Sequence, residues 1–253
     1  MQTTGNTILI TGGSSGIGLA MAELLLKAGN EVIICGRLQS KLEEAKQKVP
    51  KLQTYVCDVS LKAERDGLYQ WATSKMPNVN MLINNAGIQR ETDFRSGAPE
   101  LTDGESEIDT NFTGTVHLSA LFLAHFLKAK TECAIVNVTS GLAFIPLKVV
   151  PAYCATKAAL HSFSMSLGSQ LAETNVRVFE VIPPIVQTDL HRAETSQKQG
   201  RKGISADKVA QATAKALRKD NYEITIGRAW DLKVAARLAP HFFHRLLNKL
   251  VSK

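Results

Sequence analysis

The stretch TILITGGSSGIGLA, residues 7–20, carries a strand-like apolar run into a glycine-rich turn and then into helix-favouring residues. A glycine at such a turn permits positive φ, and a glycine facing a ligand lets backbone N–H groups approach a pyrophosphate. The amino end of the helix that follows adds positive potential. With Gly12, Gly16 and Gly18 in these places, the pattern predicts a phosphate cradle after an amino-terminal strand, in preference to a turn built only for close packing.

Beyond this turn, apolar runs of strand length alternate with amphipathic helical stretches. The runs are EVIICG (31–36), TYVCDV (54–59), NMLINNA (80–86), CAIVNVTS (133–140) and VRVFEVIPP (176–184), with a long segment from about 100 to 128 between the third and fourth. Near-continuous apolar strands are buried on both faces, and strands separated by helices pair in parallel. The predicted fold class is α/β, a Rossmann-like doubly wound parallel sheet with helices on both faces. No linker divides the chain, so residues 1–253 read as a single domain ending in a basic amphipathic helical segment, 229–253. Regions 141–150 and 189–204 fit neither period and are expected to be loops that shape a pocket.

At 253 residues and 44% hydrophobic, the chain can bury a large core. Cys35, Cys57, Cys133 and Cys154 show no close-spaced ligand pattern, so reduced thiols and no metal site are expected. The amino end lacks the features of a signal peptide, and the apolar run LSALFLAHFL (118–127) is interrupted by His125, so a cytoplasmic protein is expected. The net charge of +7 gathers in the tail, where Arg228, Lys233, Arg237, Arg245, Lys249 and Lys253 face Asp231 alone. No zinc-finger, basic-zipper or aromatic RNA-binding pattern accompanies it, which argues against a nucleic-acid partner.

An acidic side chain closing the second strand would bond the ribose 2′-OH of NAD(H). Here Gly36 leaves that place neutral and Arg37 follows, able to pair with a 2′-phosphate, with Lys41 adding charge nearby. NADP(H) is therefore favoured over NAD(H).

In PAYCATKAAL, residues 151–160, Pro151 suits a first helical position, and Tyr153 and Lys157 then share one helical face, about 5–6 Å apart at Cβ. Alone, the pair fits a packing face as well as it fits chemistry. Taken in order, the turn spaced TGxxxGxG, NNAG at 84–87, Asn111, Ser140 and Tyr153-x-x-x-Lys157 resemble the short-chain dehydrogenase/reductase family over nearly the whole chain. Within it, NTILITGGSSGIGLAMAELLLKAGNEVIICGR and LINNAGIQRETDF are most similar to the branch encoded with the machinery for D-alanine esterification of lipoteichoic acid in Gram-positive bacteria.

The resemblance implies an oxidoreductase that interconverts a carbonyl and an alcohol. It makes Tyr153 the acid in reduction and the base in oxidation, and Lys157 the charge that lowers the phenol's pKa and the holder of the nicotinamide ribose. Ser140 would orient the substrate oxygen, and Asn111 would anchor a water joining Lys157 to solvent. The implied dinucleotide contacts are Gly12, Ser14, Ser15, Gly16, Ile17 and Gly18 at the turn, Arg37, and Asp58 and Val59 at the adenine. They continue with Asn85, Ala86 and Gly87 on the adenosine side, Tyr153 and Lys157 themselves, and Val186 and Thr188 at the carboxamide, while Asn84 is expected to serve the sheet. Pro183-Pro184 departs from the family's usual Pro-Gly. Pro184 removes a backbone donor, which weakens the transfer at the nicotinamide's orientation. The resemblance also implies a homodimer or homotetramer, paired through the helices of Asn111 and Tyr153.

Leu142, Phe144, Ile145 and Leu147 suit a partly apolar substrate and equally suit ordinary loop packing, whereas Gln89, Arg90, His191 and Arg192 could meet an acidic group. Cys154 is expected to pack, not to react. The tail, broken at Pro240, fits a capping helix, a subunit contact or a peripheral membrane helix. Two other functions remain: a regulatory dinucleotide-binding protein with little turnover, and a sugar-nucleotide epimerase or dehydratase.

Overall fold

Alternate residues of a strand face opposite sides of its sheet, and in β1 (Thr7–Thr11) this sends Ile8 and Ile10 to one face and Leu9 to the other, all fully buried. The structure, a computed structural model, describes residues 1–98, 106–188, 190 and 203–251. From β1 the chain runs through α1 (Gly16–Lys27), β2 (Glu31–Gly36), α2 (Gln39–Lys48), β3 (Gln53–Val56), α3 (Lys62–Lys75) and β4 (Val79–Asn84). A π-helical turn at Asp109–Thr113 opens α4 (Gly114–Phe126), followed by β5 (Cys133–Val138), α5 (Pro151–Gln170) and β6 (Val176–Ile182). The described chain closes with α6 (Ala206–Leu217), β7 (Glu223–Thr225), α7 (Arg228–Leu238) and α8 (Pro240–Val251).

The strands form one parallel sheet in the order β3-β2-β1-β4-β5-β6-β7, the predicted single-domain doubly wound α/β architecture. Its register lines up Ile34, Ile10, Ile83, Val136 and Phe179 across five strands, a row buried against Met21 and Leu25 of α1 and Val209 of α6. On the opposite face Leu9, Ile33, Leu82 and Ile135 pack on Leu68 of α3, Leu118 and Phe122 of α4 and Leu167 of α5. Burial on both faces is the physical reason the strands read as continuous apolar runs.

Three elements differ from the sequence pattern. β3 stops at Val56, short of the Val59 that the apolar run suggests, because Asp58 accepts hydrogen bonds from Ser60 N (2.8 Å) and Oγ (2.7 Å) and turns the chain. Within the long segment before β5, the described residues pass through the π-helical turn before α4 begins at Gly114, where a Cβ would collide with the Val59 carbonyl. The pattern does not single out β7 at all, since three residues are too few to show a period. Because β4 returns beside β1 on the side away from β2, strand order reverses there. Such a reversal opens a crevice at the strands' carboxyl ends.

Candidate functional site

The glycine turn lies in that crevice, and its shape leaves no room for side chains. A Cβ on Gly18 would collide with the Gly12 carbonyl and lie 2.5 Å from Asn85 Nδ2, and a Cβ on Gly12 (φ 62°) would lie 2.9 Å from Ala86 Cα. Gly16 (φ 53°) comes equally close to Thr188, where a Cβ would be 3.0 Å from Cγ2. Ser15 occupies the N-cap of α1 without a side-chain hydrogen bond to the helix, and Ile17 is partly buried against the core. Backbone donors at the first turn of α1 thus meet a surface stripped of Cβ atoms, an arrangement that fits a pyrophosphate. Ser14 Oγ lies beside Gly36, 3.3 Å from where a Cβ would stand, and Arg37 follows at the end of β2. Lys41 pairs with Glu44 at 2.8 Å on exposed surface.

Asn85 is committed to the scaffold in part: its Nδ2 donates to the carbonyls of Thr11 (3.0 Å) and Gly12 (3.1 Å), tying the glycine turn to the end of β4. Thr11 Oγ1 accepts from the backbone N–H groups of Asn85 and Ala86, both at 3.0 Å. Asn84 serves the sheet as expected, donating to Asn137 Oδ1 (2.9 Å) and Ser119 Oγ (3.1 Å). The Val59 carbonyl accepts from Arg65 Nη1 at 2.6 Å, and Val186 forms a lone parallel bridge with Ile204. Pro183 O accepts from Gly141 N at 3.0 Å, fixing the proline pair to the turn after Ser140.

Four predicted residues converge where β4 and β5 end. Asn111 lies in the π-helical turn, a distortion common at functional sites. It is fully buried, accepts from Ile88 N (2.8 Å) and donates to Ile88 O (2.9 Å) and Thr156 Oγ1 (3.1 Å), which binds it to both the β4 loop and α5. Lys157, 4% exposed, donates from Nζ to Val138 O at 2.8 Å and stands 5.7 Å from the Tyr153 ring centroid. Gly87 is the neighbour that makes space: a Cβ there would lie 3.3 Å from Asn111 Oδ1 and 3.6 Å from Lys157 Nζ. Ser140 lies two residues beyond the end of β5, its Oγ accepting from Leu142 N at 3.1 Å.

Burial pushes the Tyr153 phenol well above its ordinary pKa, opposed by a hydrogen bond from Ser140. Burial also pulls Lys157 down to about 8, opposed by the negative charge of Glu180. Glu107, which no sequence pattern marks, is 2% exposed. Its Oε1 accepts from Arg90 N at 3.0 Å, its Oε2 has no hydrogen-bond partner, and its charge disfavours ionisation of Tyr153.

The loop 141–150 divides its apolar residues. Leu142 and Leu147 pack with Val150, Tyr153, Cys154 and Leu190, whereas Ile145 is buried. Phe144 follows the packing alternative: it meets His161 edge-on at 5.0 Å with Lys233 6.0 Å from its ring. The Cys154 thiol, 2% exposed and raised to about 11 by burial, accepts from Leu147 N at 3.3 Å, consistent with packing. From α8, Asn248 accepts from Lys148 N (2.6 Å) and donates to Pro146 O (3.1 Å), while Leu247 joins the Tyr153 cluster. Leu247 therefore faces inward and does not share an outer apolar face with Phe242, Leu246 and Leu250, which are exposed. A cavity of about 360 Å³ lies between this loop, α5 and His244. His191 and Arg192 lie outside the described residues. No group of metal-ligating side chains occurs among the described residues, and none of their helices is long and apolar enough to cross a membrane.

The chain matches the short chain dehydrogenase family model over residues 6–199. It is 52% identical over 239 residues to the uncharacterized oxidoreductase DltE of Bacillus subtilis, covering 94% of each chain. It resembles a short-chain dehydrogenase of Burkholderia cenocepacia solved with NADP at a TM-score of 0.83 and 25% identity, covering 98% of this chain and 99% of that one. A Burkholderia phymatum relative solved with NAD superposes at a TM-score of 0.85 over 98% and 96% of the two chains, at 23% identity. With the family match spanning most of the chain, this chain belongs to the short-chain dehydrogenases, oxidoreductases of CH–OH and carbonyl groups that use NAD(P).

Proposed function

We propose that the protein is an NADP(H)-dependent oxidoreductase that interconverts a carbonyl and an alcohol, with Tyr153 as proton donor and acceptor. The observation that carries this reading is the convergence of Asn111, Ser140, Tyr153 and Lys157 beside Gly87, across the crevice from the glycine cradle. The cradle fits a dinucleotide because Gly12 and Gly16 hold positive φ and Gly18 lets the turn close on Gly12 and Asn85, which brings the backbone N–H groups at the head of α1 to the crevice. A bound nicotinamide supplies or takes the hydride.

The chain's own residues handle the proton. Ser140 orients the substrate oxygen, and Tyr153 gives its phenolic proton to that oxygen in reduction and takes it back in oxidation. A buried phenol resists ionisation, so the positive charge of Lys157 is what stabilises the phenolate. Asn111 holds the Ile88 backbone and α5 together around this centre. Arg37 holds the 2′-phosphate. This role is supported by Gly36, which leaves no carboxylate at the end of β2 to bond a ribose hydroxyl and repel a phosphate.

Leu142 and Leu147, packed beside Tyr153, favour a partly apolar substrate. Residues 1–253 act as one dinucleotide-binding unit, in which 229–253 caps the substrate loop, a role supported by the Asn248 hydrogen bonds. We place the protein in the cytoplasm, in a cell-envelope context connected with lipoteichoic acid, on its similarity to the DltE branch. Exposed Ile108 at the start of the Asn111 segment and exposed Met165 on α5 support pairing of copies through these helices as a homodimer or homotetramer.

Titration with NADPH and NADH, followed by a carbonyl panel comparing the parent with Tyr153→Phe, tests the reading. Tighter binding of NADPH and turnover lowered at least about 100-fold in the variant are expected. Parent-like turnover in Tyr153→Phe would overturn the assignment.

A further inference from the structure

β6 reads VRVFEVI, and its Glu180 is only 4% exposed. A carboxylate in such a place is destabilising unless it is paired. Oε1 accepts from Thr139 Oγ1 at 2.6 Å, and His161 Nδ1 lies 3.0 Å from Oε1 and 2.8 Å from Oε2. These partners belong to the two segments that carry the reaction centre. Thr139 stands between Val138, whose carbonyl receives Lys157 Nζ, and Ser140. His161 stands one helical turn beyond Lys157 on α5, in series with Tyr153.

We propose that Glu180 is a positioning residue for Lys157. Clasped by Thr139 and His161, it fixes α5 against the end of β5 in the register that brings Tyr153 and Lys157 to Ser140, and it supplies the negative charge that keeps Lys157 an ammonium. The proposal rests on the reading of Lys157 as the charge that supports Tyr153.

The surrounding charges set the sign. Around Glu180, α5 presents Lys157 and His161, β7 presents Glu223 in register with it, and α7 presents Lys233, which pairs with Glu223. Lys157 itself faces Tyr153 and the amide of Asn111. Burial draws the proton from Lys157, and Glu180 opposes that loss. The hydrogen bond with Glu180 raises the proton affinity of His161, with burial working the other way. Protonated His161 offsets the Glu180 charge.

The test is an NMR titration of the full chain labelled with 13Cε-lysine, without and with NADPH, the Lys157 signal being assigned by its absence in Lys157→Met. Glu180→Gln keeps the shape and removes the charge, so the Lys157 midpoint should fall by about one pH unit or more. His161→Gln keeps a donor and removes the compensating cation, so the midpoint should rise. Opposite shifts are an electrostatic signature that loosened packing would not produce. An unchanged midpoint in Glu180→Gln, or shifts of the same sign in both variants, overturns the proposal. If Glu180→Gln does not fold, His161→Gln decides: a rise supports the coupling, and no change or a fall overturns it. The titration needs no turnover, so failure of NADPH binding, or an active Tyr153→Phe, would remove the proposed function while the Glu180–Lys157 coupling is still read.

Discussion

Lys157 donates to the carbonyl oxygen of Val138 at 2.8 Å, so the amine of the Tyr-Lys pair is anchored on the last residue of β5, two residues before Ser140. This hydrogen bond ties helix α5 to β5 beside Tyr153, the proposed proton donor and acceptor. The anchor is a neutral carbonyl, and it leaves the charge of the lysine available to the phenol.

Burial of that amine makes stability and activity depend on pH in opposite directions. The folded pKa of Lys157, about 8, lies below its ordinary value of 10.5, so between these values the unfolded chain binds more protons. Stability from this group therefore rises with pH from about 8 toward 10.5, whereas the charge proposed to support Tyr153 is lost as pH rises through about 8. Replacing Lys157 by Met should raise the Tm near pH 7, with the gain shrinking toward pH 10, and should abolish turnover. Thermal melts of both proteins across this range check it, and a variant less stable than the parent at pH 7 would contradict it.

Gly18→Ala places a methyl group against the Gly12 carbonyl and Asn85 Nδ2. Overpacking of this kind destabilises by about 1–3 kcal/mol, and here it also displaces the Gly12 carbonyl and the Asn85 amide that shape the turn. NADPH affinity should fall to an undetectable level by fluorescence titration, with a lower Tm. Gly168→Ala, whose Cβ would meet Val178 at an ordinary 3.8 Å, serves as the control and should retain binding.

Arg37→Ala should weaken NADPH binding about 10- to 100-fold, the worth of a charge-assisted contact, and leave NADH nearly unchanged. Parallel titrations with the two cofactors read this directly. Equal losses for both would show that Arg37 supports the fold of the turn and not the 2′-phosphate.

Asn248→Ala removes the acceptor for Lys148 N and the donor to Pro146 O, two partly buried hydrogen bonds that join α8 to the loop 141–150. A loss of about 1–3 kcal/mol is expected. Because the loop contributes Leu142 and Leu147 beside Tyr153, KM for the carbonyl substrate should rise while the Kd for NADPH stays constant. A change confined to NADPH binding would refute the proposed division of labour.

The sequence by itself determined the elements that local chemistry dictates. Continuous apolar strands reveal a sheet buried on both sides, glycine spacing marks the cradle, and Pro151 marks the start of the helix that carries Tyr153 and Lys157, because each of these signals is local and periodic. Tertiary structure decided what depends on distant partners. Phe144 turned to His161 and Lys233, Asn85 was drawn into holding the glycine turn, and Leu247 faced inward because α8 folds back on a loop about a hundred residues earlier. Glu180 was visible as a lone carboxylate late in an apolar strand, but its meaning was not. A buried charge is defined by what neutralises it, and Thr139 and His161 reach it only when β5, β6 and α5 are packed together.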